Sequence, residues 1–217
     1  MSAHPVTAKT RATPNLRLII AWTAAVVLIV AMALSTKVVK IDSAANVQSG
    51  AFTPEAYGAS EFPKVQAAID RRAVSAATLA AAIAKDQAAA AKQYGVATGA
   101  GPEFSVKFTG VVGKGDFGTY AVAVDGVPKS LVIQIQTGPA IIGTDLRDAP
   151  GTIQFGQFTN QIVYQNAGAA LNKELKKQVL SKIDTANLKG KHVSVVGAFQ
   201  LSDPKSWLVT PSQLDVK

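Results

Sequence analysis

The chain has 217 residues, 48% of them apolar, which is enough to build a packed core and excludes wholesale disorder. It contains no cysteine, so disulfides, thiolate metal sites, catalytic thiols and lipidation at an N-terminal cysteine are all excluded. The net charge of +8 is unevenly placed: residues 1–40 hold five basic side chains and no acidic one, while the other 177 hold 17 basic and 14 acidic.

That distribution counts against nucleic acid as a partner. Beyond residue 40 the basic residues are scattered, with Arg71-Arg72 and Lys176-Lys177 as the only doublets. A phosphate-tracking surface needs a concentrated basic stripe.

From the N-terminus, a basic tail over residues 1–17 precedes Leu18 to Thr36, LIIAWTAAVVLIVAMALST, which carries no charge over 19 residues. As a helix this stretch is about 28 Å long, close to the hydrocarbon thickness of a bilayer. Arg17 and Lys37 bracket it, and Trp22 lies near one interface. The expectation is a transmembrane helix over 18–36, with the lipid bilayer as its partner. The alternative is secretion after cleavage following Ala33, since Ala31-Met32-Ala33 fits a small-x-small site. The apolar run from Leu18 to Leu34 is 17 residues, longer than the usual signal-peptide core of about 7–15, which favours retention. The excess of basic residues on the N-terminal side places the tail in the cytoplasm and the rest of the chain outside the inner membrane.

Residues 37–60 read as a tether. Residues 61–95 are alanine-rich and helical, with Val65, Ile69, Leu79 and Ile83 at helical spacing and Ser75 and Asp86 as N-caps. After Gly101 the apolar period changes to two. Strands are expected at 104–112, 119–125, 130–136, 192–201 and 206–216, with Gly113–Asp116 and Asp125–Pro128 as hairpin connections. A helix is expected over 167–183, with Leu171, Leu175, Val179 and Ile183 along one face. Three strands, a helix and two strands is the order of an OB-fold, whose helix plugs one barrel end. The expected class is therefore α+β, with a five-stranded OB-like barrel over 101–217 and a sharp bend at Gly197.

Several motifs in this order resemble a known family: KQYG, GPEFSVKFTGVV, QTGPAIIGTDLRDA, FTNQIVY, ALNKEL, LKGKHVSVVGAF and TPSQLDV. Over roughly residues 38–217 the chain is similar to the predicted periplasmic lipoproteins known as domain of unknown function 2291. Members are often encoded beside sugar-type ABC transporters, so the resemblance implies an envelope protein working near a transport system, with transporter components as partners. It implies no enzymatic activity. Many relatives carry a lipobox cysteine after the apolar segment. Here there is none, and an uncut helix is the natural substitute.

Catalytic and cofactor signals are weak, and no cofactor is expected. Gly113 to Gly118, GKGDFG, matches a dinucleotide fingerprint in spacing but lacks the following helix. His192 stands at a strand start with no Gly-x-Ser-x-Gly elbow to serve, and no dense His/Asp/Glu cluster suits a metal. Asp145 and Asp148 could act as paired carboxylates in a hydrolase. With Arg147 between them, capping or salt-bridging is the commoner role.

The long connection from Gly138 to Tyr164 gathers Thr144, Asp145, Arg147, Asp148, Asn160, Gln161 and Tyr164. One reading makes these residues structural: turn aspartates and threonine bond the backbone, and Arg147 staples the loop to the barrel. The other makes them a ligand or partner site, a planar polar surface suited to a sugar, a cell-wall fragment or a partner's backbone.

Overall fold

The computed structural model describes residues 16–35 and 52–217. The chain divides into two units, Met1–Ala51 and Phe52–Lys217. In the first, helix α1 spans Leu16–Ser35. Its described side chains, those of residue 20 and residues 22–32, are all exposed. Over those twelve described side chains, and elsewhere among the described residues, no helix is long and apolar enough to cross a membrane. Residues 1–15 of the expected tail, Thr36 and residues 37–51 of the expected tether lie outside the described residues.

In the second unit the tether expectation fails over its last residues, because α2 already begins at Pro54 and runs to Arg72. Its start follows from local chemistry: proline in the first turn, where its missing N–H costs nothing, and Glu55 beside the positive end of the helix dipole. Pro63 lies inside α2. The short strand β1 (Val74–Ser75) follows, then α3 (Ala76–Lys85) and α4 (Gln87–Tyr94). Both sequence-read caps are in place, Ser75 Oγ accepting from Thr78 N and Asp86 Oδ1 from Ala89 N.

The sheet strands are β2 (Gly95–Thr98), β3 (Gly101–Asp116), β4 (Thr119–Val124), β5 (Val132–Gln136), β6 (His192–Gln200) and β7 (Ser206–Val216). Neighbours run β3-β4-β5-β7-β6, and β6 pairs back onto β3, closing a five-stranded barrel. Only the β5–β7 pairing within it is parallel. The structure adds two strands that the periodicity did not reveal. β1 and β2 are too short to establish an alternation, and they pair with β3 beside the stretch where β4 attaches. Closure leaves the barrel strands without open edges.

The β3–β4 connection differs from expectation. Gly113–Asp116 belongs to β3, and the turn is Phe117-Gly118, between the paired residues Asp116 and Thr119. Both turn residues have positive φ, 48° and 77°, as a two-residue hairpin requires. A Cβ on Gly118 would fall 1.0 Å from the Gly138 carbonyl oxygen, so glycine is obligatory there. Gly197 sits at a register shift between β6 and β7, where a Cβ would fall 2.5 Å from the Thr210 carbonyl oxygen.

Alternation divides the strands into two faces. Phe104, Val106, Ile133, Ile135, Phe199, Trp207 and Val209 are fully buried. Phe104 stacks on Phe199 at 5.7 Å between centroids, and Phe199 on Trp207 at 4.7 Å. The opposite face of the same strands carries Glu103, Ser105, Ala198, Gln200 and Thr210, matched by the pairs Glu103↔Gln200, Ser105↔Ala198 and Ala198↔Thr210.

Helix α6 runs Gln161–Gln178, starting earlier and ending earlier than the expected 167–183, because Asn160 caps it and the chain tightens into a 3-10 turn at Leu180–Lys182. Leu171 and Leu175 are fully buried. The helix packs chiefly along α2 rather than serving only as a barrel plug. Small residues permit this: a Cβ on Gly58 of α2 would meet the Ala170 carbonyl oxygen of α6 at 2.9 Å.

Candidate functional site

The connection between β5 and α6 lies over the polar outer face of β6 and β7, and its first part is held by one buried amide. Gln136 Nε2 donates to the Ile142 carbonyl at 3.1 Å and to Thr210 Oγ1 at 2.8 Å, while its Oε1 accepts from Ile142 N at 2.9 Å. The side chain thus bonds the loop backbone as a neighbouring strand would. Gly138 and Gly143 adopt positive φ, and the Gly138-Pro139 bond is cis. The chain then makes a single helical turn, α5, at Asp145–Asp148, which contacts β6, β7 and α6.

α5 carries the polar cluster. Arg147, only 8% exposed, forms a two-pronged pair with Asp148: Nε to Oδ1 at 2.7 Å and Nη2 to Oδ2 at 3.0 Å. Its Nη1 donates to the Tyr164 carbonyl at 3.2 Å, and its guanidinium lies 3.6 Å from the centre of the Tyr164 ring. Thr144 Oγ1 donates to Asp148 Oδ2 at 2.6 Å, and Tyr164 OH to Asp148 Oδ1 at 3.3 Å. The fork of Arg147, read from the sequence either as a staple or as part of a ligand surface, is committed to its neighbours. Burial, followed by the Asp148 charge, raises the Tyr164 hydroxyl above the usual phenol range.

Asp145 points the other way and accepts from Thr210 Oγ1. Burial raises its carboxyl to about 6, against the lowering effect of the Thr210 bond. Behind it lies Glu103 on β3, 2% exposed, whose Oε1 is buried with no hydrogen-bond partner. Burial first, then the charges of Asp145 and Asp148, push Glu103 to about 9. Ser105 Oγ, two residues along the same face, is also buried without a partner.

Thr144, Asp145, Arg147, Asp148 and Tyr164 line one cavity of about 360 Å³, together with Thr98, Gly99, Ala100, Gly143 and Gln200. Two expected site residues stand apart. Asn160 caps α6, its Oδ1 accepting from Val163 N at 2.9 Å, and Gln161 is exposed on the first turn. Glu103, Gln136, Thr210, Thr98 and Gln200 were missed. Glu103 alternates with Phe104 and Val106 and so reads as a solvent-facing strand residue; it is buried because other elements, α2 and α4 among them, pack over β3. Among the described residues no group of three or more His, Asp or Glu side chains is placed to hold a metal ion.

An aromatic chain flanks the cluster. Phe52 meets Tyr57 at 5.1 Å, Tyr57 meets Phe158 at 5.8 Å, Phe158 meets Tyr164 at 5.2 Å and Tyr164 meets Phe155 at 5.6 Å. It ties the start of the second unit to Tyr164. Burial raises Tyr57 to about 12.

A family model described as predicted periplasmic lipoprotein (DUF2291) matches residues 25–215. No curated protein matches the chain. Among solved structures, the crystal structure of an OB-fold protein from Thermotoga maritima MSB8 is similar, with a TM-score of 0.61 and 17% identity. The match covers 76% of this chain and 98% of that one. At that identity the likeness establishes an OB-like fold and nothing about activity.

Proposed function

Because the chain belongs to the family of predicted periplasmic lipoproteins (DUF2291), we propose that it is a non-enzymatic envelope protein, held at the inner membrane by α1, with its OB-like unit on the outer side. The reading rests on one observation: Leu18 to Thr36 carries no charge over 19 residues, and the backbone is helical over Leu16–Ser35. A stretch apolar on every face has no use as a surface helix of a soluble domain. With no cysteine in the sequence to acylate, the helix takes the place of the lipid. The OB-like unit is then presented to a protein partner, and a component of a sugar-type ABC transporter fits what the family resemblance implies. A carboxylate hydrolase is disfavoured because Asp148 is occupied by Arg147, Thr144 and Tyr164. Copurification from native membranes in mild detergent should recover transporter subunits with the chain. Repeated recovery of the chain alone removes the transporter assignment.

A second reading is supported by the cavity of about 360 Å³ beside α5, within the size range of small-molecule sites. Here the unit binds a small molecule, a sugar or cell-wall fragment among the candidates, between α5 and the outer barrel face.

A further inference from the structure

The cavity beside α5 has an unbalanced charge. Arg147 is the one cationic side chain in its lining, and both prongs of its fork are taken by Asp148. Asp145 has only a neutral hydroxyl, that of Thr210, as its donor side chain. Glu103 does not line the cavity but lies beneath it, next to Gln200 across the β3–β6 pair, and carries a second carboxyl with an unpartnered buried oxygen. Glu103 and Gln200 are register partners, so their side chains leave the barrel on the same face about 5 Å apart, and Gln200 lines the cavity. The Ser105 hydroxyl, likewise buried and unpartnered, continues that face. An unpaired carboxyl in such surroundings is costly. Leucine at position 103 would remove the cost without disturbing the strand alternation.

We propose that this cavity receives a small organic cation, with an ammonium group seated on Asp145, within the field of the buried Glu103, and the rest of the molecule lying against Gln200, Thr98 and the Gly99-Ala100 turn. The proposal rests on the small-molecule reading above and adds the charge class of the ligand. An anion would be repelled by the Asp145 carboxylate, and a neutral sugar would leave that carboxylate uncompensated. A bare metal ion does not fit, because among the described residues no set of His, Asp and Glu converges as ligands. The volume of about 360 Å³ is also roughly ten times that of one water molecule. The groups acting on Glu103 are Asp145, Asp148 and Arg147, all from α5. An ammonium arriving there favours the ionised carboxylate, so Glu103 gives up its proton to solvent as the cation binds.

The test is calorimetric titration of the full chain in detergent with ethylammonium, ethanolamine and putrescine, set against ethanol, glucose and acetate. Proton release is followed with an indicator dye in weakly buffered solution at pH 7.5. The expected result is binding of at least one cationic probe with release of protons. Glu103→Gln and Asp145→Asn should each weaken it about tenfold or more and Glu103→Gln should abolish the release. Should Asp145→Asn fail to fold, Glu103→Gln alone decides. If glucose binds and no cation does, the cation assignment is overturned while the small-molecule reading survives. If a cation binds equally well to Glu103→Gln, the seat is elsewhere. If no probe binds, both readings fall.

Discussion

The two ends of α5 carry the same functional group in opposite circumstances. Asp148 accepts from both prongs of Arg147, from Thr144 and from Tyr164. Three residues earlier, Asp145 meets one neutral hydroxyl, and its charge is felt by a second buried carboxyl, Glu103. Both ends carry a polar cluster, so the presence of one does not distinguish a staple from a site. Satisfaction does: a saturated cluster fixes the loop and has nothing left to offer, whereas an unsatisfied one is costly to keep and ready to accept a partner.

The sharpest way to break the contrast is at its closed end. Arg147→Ala leaves Asp148 buried without its counter-charge and should cost about 3–5 kcal/mol, read by denaturant unfolding of the full chain in detergent. A cost below about 1 kcal/mol, the usual value of a surface pair, means that Arg147 is not the staple.

At the open end the sign reverses. Asp145 and Glu103 both have raised values, so the folded state holds these protons more tightly than the unfolded chain, where such groups ionise near pH 4. Their contribution to stability is therefore full below about pH 4. It is lost as pH rises through about 6 for Asp145 and about 9 for Glu103. Glu103→Gln keeps the shape and removes the titration. It should stabilise by about 1–3 kcal/mol at pH 8 and by almost nothing at pH 4; a variant less stable than the parent at pH 8 contradicts this.

The smallest effects lie just outside the cluster. Asn160→Ala removes the α6 cap and should cost about 1 kcal/mol. Gln161→Ala should stay within about 0.5 kcal/mol. Neither should alter binding in the cavity, and a change in binding from either would widen the site beyond α5.

These contrasts also mark how much could be read in the sequence. The barrel order was legible because Phe104 to Val112, Thr119 to Asp125 and His192 to Leu201 alternate cleanly, and period-two alternation is a local property. The caps at Ser75 and Asp86 were legible for the same reason. Five of the seven candidate site residues line one cavity: Thr144, Asp145, Arg147 and Asp148 stand on or beside one helical turn, and Tyr164 joins them from α6 through Arg147 and Asp148. Glu103 was not legible: it stands 42 positions before Asp145, and its burial depends on elements that pack over β3 from elsewhere in the chain. The start of α2 at Pro54 was missed because its burying partner, α6, lies far along the chain.

The central claim is that the open end of α5 faces a carboxyl kept neutral by its surroundings. Infrared spectra of the full chain and of Glu103→Gln across pH 5–10 test it directly. A protonated-carboxyl band is expected at neutral pH, missing from the variant and fading in the parent with a midpoint near pH 9. A Glu103 carboxylate already ionised at pH 6 would contradict it.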